Sequence, residues 1–272
     1  MRKRKIGLAL SGGAARGLAH IGVLAALEKE GIPIDMIAGT SAGAAVGALY
    51  AQSQDAGRIK ELALGLSWKK LAPLLDPSFP RTGFIKGKKI KDLLASFIGG
   101  DIIFSDLKIP FACVATDIDT GEEVVIDHGS VPEAVRASIS IPAIFTVVKR
   151  GGRYLVDGEL VNPVPVSVVK RMGADFIIAV NVIPDVADRT HHRAGKEGEK
   201  ESFKAPNIIH ILMQSIYIGT YSLVTHSLEK ANIVIEPHVA HIGPGDFLHA
   251  QECIVQGELA AQDSIPEIKR KL

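Results

Sequence analysis

The chain is short of cysteine, of aromatic residues, of net charge and of long apolar runs, and each shortage excludes a class of protein. Cys113 and Cys253 are its two cysteines in 272 residues. That is too few for the disulfide framework of a small secreted scaffold, and points to a reducing, cytoplasmic setting. Lys and Arg number 31 against 30 Asp and Glu, a formal charge of +1. No global field is directed at nucleic acid or an acidic partner, so no nucleic-acid partner is expected. The most apolar later stretch, 208–224, is broken by His210, Gln214, Ser215 and Thr220, and reads as a core helix rather than a membrane span. There is no internal repeat and no low-complexity tract.

What the chain does have is glycine, 27 residues of it, in a composition that is 47% hydrophobic and 22% charged. Those values suit a folded globular protein, long enough to bury one large α/β core. The opening Met1 to Lys5 is basic and is followed by the apolar run 6–10, which imitates a secretory leader. The run lasts only five residues before Ser11-Gly12-Gly13, and cleavage there would discard a glycine loop that the next helix needs. It is read as a buried first strand with a basic lead-in.

Short apolar runs then alternate with helical patterns. Strands are expected at 6–10, 35–38, 109–116, 122–126, 154–156, 175–182 and 233–236. Helices are expected at 14–29, 42–52, 55–70, 88–98, 132–137, 164–172, 207–230 and 247–261, with a Pro-rich stretch at 73–80. Strands separated by helices imply an α/β fold, with a mostly parallel sheet covered by helices on both faces. Residues 185–204, charged and carrying His191 and His192, read as a mobile surface loop rather than a linker. One domain, 1–272, is the economical reading.

Three motifs carry chemistry. Gly39-Thr40-Ser41-Ala42-Gly43 matches G-x-S-x-G between an expected strand and an expected helix. This is the setting of a nucleophile elbow, in which a sharp turn lifts the Ser hydroxyl above the sheet edge. The competing reading is an ordinary Ser N-cap. Ser11-Gly12-Gly13-Ala14-Ala15-Arg16-Gly17 lies between a strand and a helix, where backbone N–H groups can hold an anion. It lacks the Gly-Lys-Ser/Thr ending of a P-loop, and Ala14 breaks a dinucleotide fingerprint. An oxyanion loop facing Ser41 fits better than either, with a tight βα turn as the plain alternative. Val156-Asp157-Gly158-Glu159 places an Asp at a strand end, although a lone Asp-Gly is most often a turn.

Taken together, the three motifs resemble the patatin-like phospholipase family over 6–182, including the segment Ala137-Ser138-Ile139-Ser140-Ile141-Pro142-Ala143-Ile144-Phe145. The resemblance implies a three-layer sandwich and an acyl-ester hydrolase that uses a Ser-Asp dyad without His. It implies Ser41 as nucleophile, Asp157 as its base, and Gly12, Gly13, Ala14, Arg16 and Gly17 as the oxyanion site. Gly39, Thr40, Ala42 and Gly43 would form the elbow, and Gly158 and Glu159 the Asp-Gly motif. The implied partner is an acyl-ester lipid. No cofactor is implied, and no His, Cys or Asp cluster has metal-ligand spacing. Two positions depart from the family pattern. Glu159 replaces a usual Gly or Ala and is expected to face solvent, and Ala14 replaces a common Gly.

Rival readings remain. A conventional triad of the α/β-hydrolase class would use His238, His241 or His249, yet Ser41 follows only the second expected strand. His20 reads as packing. An acyltransferase would share the acyl-enzyme and differ in the acceptor, and a non-catalytic regulator would not require all three motifs. Arg81, Lys86, Lys88, Lys89 and Lys91 surround Phe84, Ile85, Phe97 and Ile98. This segment reads as a solvated helix face over a core stripe, in preference to a basic edge resting transiently on anionic lipid.

Overall fold

The computed structural model describes residues 4–66, 72–74, 76–78, 82–185 and 208–272. Arg81, most of the expected loop at 185–204 and the ends of the expected helices at 55–70 and 207–230 lie outside the described residues. The strand β1 (Ile6–Leu10) leads through a 3-10 turn, Ala14–Leu18, into α1 (Ala19–Lys29). Next come β2 (Met36–Thr40), α2 (Ala42–Ser53) and α3 (Ala56–Leu64), then β3 (Gly83–Ile85) and α4 (Lys88–Ile98). The middle of the chain holds β4 (Phe111–Asp117), β5 (Glu123–Ile126), α5 (Val131–Ser138), β6 (Ala143–Phe145), β7 (Val148–Arg150) and β8 (Arg153–Asp157). After these come α6 (Val166–Arg171), β9 (Phe176–Val180), α7 (Ile208–Leu228), β10 (Ile233–Ile235) and α8 (Ala250–Lys271).

The central sheet runs β10-β9-β1-β2-β4-β8-β7, with β5 also paired to β4. From β10 to β4 every pair is parallel, as strands joined through helices must be. Beyond β4 the pairing turns antiparallel: short turns join β4 to β5 and β7 to β8, and β8 returns to β4 after α5. Alternate residues of each strand serve opposite faces. Ile6, Leu8 and Leu10 of β1 join one core with Leu24 and Leu27 of α1, Val46 of α2 and Ile254 of α8. Ala9, Ala38, Ala112 and Ala179 join the other with Val168 and Val169 of α6 and Met213 and Tyr217 of α7. Small residues on that second face let α6 and α7 approach the sheet closely.

One detail of the register positions the site. Along a single side of β4, β2 ends with Thr40 opposite Val114, and β8, running the other way, ends with Asp157 opposite Ala115. The ladder of β5 overlaps both stretches, so β5 occupies the other side of β4. Two strands thus meet end to end against one neighbour, and Ser41 and Asp157 stand at their meeting point.

Several boundaries differ from the sequence reading for physical reasons. The expected helix 14–29 begins as a 3-10 turn because Ala14 takes a left-handed φ of 52°. The strand expected at 35–38 is Met36–Thr40, carried on to the elbow. The last helix extends ten residues past its expected end, through Pro266; buried Ile265 and Ile268 hold it to the core. The three-residue strands β3, β6 and β7 were not expected, being too short for a periodic signal. Arg136, which is 5% exposed, ties the chain just after β3 to the chain just after β6, donating to the carbonyls of Lys86 (2.6 Å) and Thr146 (3.0 Å). Helix α4 falls where expected, with Leu94 and Ile98 inward. Lys88 pairs with Asp92, Lys91 with Glu133, and Lys89 donates to the carbonyl of Pro73. Among the described residues no helix is long and apolar enough to cross a membrane.

Candidate active site

Ser41 sits between β2 and α2 with φ 52° and ψ −119°, a conformation that costs about 1–3 kcal/mol and needs support from its surroundings. That support is visible. The Ser41 N–H donates to Ser138 Oγ at 2.9 Å, and Ser138 Oγ donates in turn to the Val114 carbonyl at 2.6 Å. Thr40 Oγ1 donates to the Asn162 carbonyl at 2.8 Å. Glycines flank the turn because nothing larger fits. A Cβ at Gly39 would stand 2.5 Å from the Gly43 carbonyl oxygen, and one at Gly43 would stand 2.4 Å from that of Leu10. Ala42 opens α2, whose N-terminal dipole favours negative charge beside Ser41.

Ser41 Oγ donates directly to Asp157 Oδ2 at 2.6 Å. The Asp157 carboxylate is 2% exposed, and its other oxygen accepts the Glu159 N–H at 2.9 Å. Its backbone is fixed as well: Asp157 N–H donates to the Ser140 carbonyl at 2.9 Å, and Thr116 Oγ1 donates to the Asp157 carbonyl at 2.7 Å. Burial pushes the Asp157 carboxyl up to about 7, against the opposing pull of the hydrogen bonds from Ser41 and Glu159. A carboxylate of ordinary acidity accepts a serine proton poorly; one raised to neutrality is a far better matched base.

The glycine loop faces this pair from the end of β1. Its N–H groups do not act as one set. Gly12 N–H donates to the Pro163 carbonyl at 3.0 Å, and those of Ala15 and Arg16 to Pro244 and Gly13. Gly13 and Ala14, at φ 135° and 52°, carry the N–H groups left for a ligand. Of the loop residues expected to form an oxyanion site, Gly12 and Arg16 thus have their N–H groups engaged by carbonyls. Arg16 is turned away: its Nε donates to the Ile242 carbonyl at 2.6 Å, and its guanidinium lies 5.7 Å over the Tyr217 ring. Gly17 contributes close packing, since a Cβ there would stand 2.4 Å from that of Ala42.

Glu159 does not face solvent, contrary to expectation. It is 4% exposed, because the 3-10 turn Gly158–Leu160 folds its side chain inward over Gly12. Gly158 allows that turn to press on β4; a Cβ there would stand 2.3 Å from the Val114 carbonyl oxygen.

The histidines of the rival triad lie elsewhere. His241 Nε2 and His249 Nδ1 both pair with Glu252 at the start of α8, at 2.6 and 3.0 Å. His238 lines a cavity of about 390 Å³ at the carboxyl ends of β9 and β10, with Asn181, Val182, Tyr221 and Glu236. His20 is fully buried behind the glycine loop, where its Nε2–H donates to the Ser11 carbonyl at 2.9 Å. Among the described residues no histidine stands between Ser41 and Asp157. Sequence reasoning gave no role to Ser138, Ser140, Thr116 or Asn162. The small-residue segment 137–145 was the signal for Ser138 and Ser140; nothing local marked Thr116 or Asn162.

Comparison with known proteins agrees with this architecture. The model of the family described as patatin-like phospholipase matches residues 8–170. An uncharacterised NTE family protein of Mycobacterium tuberculosis is 39% identical over 181 residues, covering 65% of this chain and 49% of that protein. Lysophospholipase NTE1 of Candida glabrata is 35% identical over 263 residues, covering 89% of this chain and 15% of that protein. The chain thus spans half or less of the length of these relatives. Among solved structures, VipD from Legionella pneumophila superposes with a TM-score of 0.64 at 13% identity, over 97% of this chain and 67% of that one; this likeness speaks for the fold alone. The family match takes in the glycine loop, the elbow and the Asp-Gly turn, and the chain belongs to the patatin-like phospholipase family.

Proposed function

We propose that the protein is a serine acyl hydrolase of the lysophospholipase or phospholipase A type. The observation that carries the reading is the 2.6 Å hydrogen bond from Ser41 Oγ to Asp157 Oδ2 at a strained elbow. Asp157 takes the Ser41 proton as Oγ attacks the ester carbonyl carbon. The carbonyl oxygen gains negative charge and is held by the Gly13 and Ala14 N–H groups, aided by the N-terminus of α2. Collapse of the tetrahedral intermediate breaks the ester C–O bond. The alcohol leaves with the proton from Asp157, and the acyl group stays on Ser41. Water, deprotonated by Asp157, then attacks the acyl-enzyme; the fatty acid departs and Ser41 recovers its proton.

The name of the yeast relative, a lysophospholipase, supports a single-chain phospholipid as the first substrate to try. Lysophosphatidylcholine and diacyl phosphatidylcholine, each incubated with the full chain and with Ser41→Ala, provide the test. Release of free fatty acid by the parent and none by the variant is expected. Equal release by both, or acyl transfer to an added alcohol with no free acid, contradicts a hydrolase working through Ser41.

A further inference from the structure

Glu159 is a side chain of the site that the dyad chemistry does not use. It is a carboxylate, yet it is almost wholly buried, two residues after the base and folded against the glycine loop. A Cβ placed on Gly12 would stand 2.5 Å from Glu159 Oε2, 2.9 Å from its Cδ and 3.3 Å from its Cγ. The glycine at 12 is therefore a matter of room for Glu159, since its φ lies outside the left-handed region. Gly12 is fastened from the same direction by the bond from its N–H to the Pro163 carbonyl. The turn holding Glu159 also carries Asp157, which accepts the Glu159 N–H, while Asn162 accepts from Thr40 of the elbow. Segment 157–163 thus touches base, elbow and loop at once, and Glu159 is the side chain that fills the space between base and loop.

We propose that Glu159 is a positioning residue that presses the Gly12–Gly13–Ala14 backbone into place against the Ser41–Asp157 pair, acting through its bulk. The inference rests on the acyl-hydrolase reading above. An oxyanion loop displaced by a fraction of an ångström still admits substrate but meets the developing charge less well. The loss therefore belongs to kcat rather than KM.

Hydrolysis of p-nitrophenyl butyrate by the full-length protein tests this, with the rate of fluorophosphonate adduct formation at Ser41 measured in parallel. Glu159→Ala should lower kcat roughly 10- to 100-fold with KM changed less than about threefold. Glu159→Gln, which keeps the bulk, should bring kcat back to within about threefold of the parent. Gly12→Ala should also slow turnover. In the Gly12→Ala, Glu159→Ala double variant the two losses should be less than multiplicative, because the new methyl then has room. A Glu159→Ala kcat within twofold of the parent overturns the proposal. So does a Glu159→Gln variant as slow as Glu159→Ala, or a strictly multiplicative double variant. Thermal melts of each variant separate lost rate from lost fold. Labelling of the parent at Ser41 is the separate check on the underlying reading, so failure of either is seen apart from the other.

Discussion

At the scale of single residues, the decisive number is the acidity of Asp157. Its carboxyl is lifted from its ordinary value of 3.8 to about 7 by burial. The proposed base works deprotonated, so on that proposal turnover should fall about tenfold per pH unit below 7 and level off above it. Initial rates on a neutral ester between pH 5 and 9 check this; a rate that stays flat down to pH 5 contradicts it. The meeting of Ser41 and Asp157 was legible in the sequence, since a G-x-S-x-G turn and an Asp at a strand end are local signals. Glu159 was not: whether a side chain after Asp-Gly points in or out is decided by contact with Gly12, almost 150 residues away. The proposed oxyanion donors were legible only in part. Which N–H groups stay available depends on Pro163 and Pro244 reaching back to Gly12 and Ala15, and no pattern in the loop announces that.

At the scale of elements, the parallel half of the sheet was legible from the alternation of apolar runs with helical periodicity. The antiparallel flank was legible only in part: β5 and β8 fall near expected strands, whereas β7 is three residues long, too short for a periodic signal. The crossing of α1 and α8 shows how strictly elements are placed. A Cβ on Gly22 would stand 1.9 Å from the Ile254 carbonyl oxygen, and one on Gly257 would stand 2.0 Å from that of Ala19. The helices touch backbone to backbone at two reciprocal glycines. Gly257→Ala should force them apart and cost about 2–3 kcal/mol, beyond any gain in helix propensity. Urea denaturation reads that cost, and an unchanged midpoint contradicts the crossing. The α1 end of this contact follows directly on the glycine loop, so the helix pair also supports the site.

At the scale of the whole molecule, two buried groups couple stability to pH in opposite directions. Burial lowers His20 from 6.5 to about 4. Between those values the unfolded chain binds the proton and the folded chain does not. The stability present above pH 6.5 is therefore lost as pH falls, by about 1.4 kcal/mol per unit and up to about 3 kcal/mol. Asp157 is raised, so between 3.8 and about 7 the folded chain binds the proton that the unfolded chain has released, and stability is lost as pH rises. From about 4 to 6.5 the two slopes oppose each other. Asp157→Asn removes one of them, and its stability should therefore climb with pH through that window more steeply than the parent's. Thermal melts at pH 4.5, 5.5 and 6.5 measure the difference, and parallel curves for the two proteins contradict it. The most direct test of the Ser41–Asp157 pair is fluorophosphonate labelling of the intact chain, with the modified peptide identified by mass spectrometry. One adduct, on Ser41, formed at least 100-fold more slowly in Asp157→Asn and at the parent rate in His238→Ala, His241→Ala and His249→Ala, is the predicted result. An adduct at another residue, or labelling of Asp157→Asn at the parent rate, would contradict it.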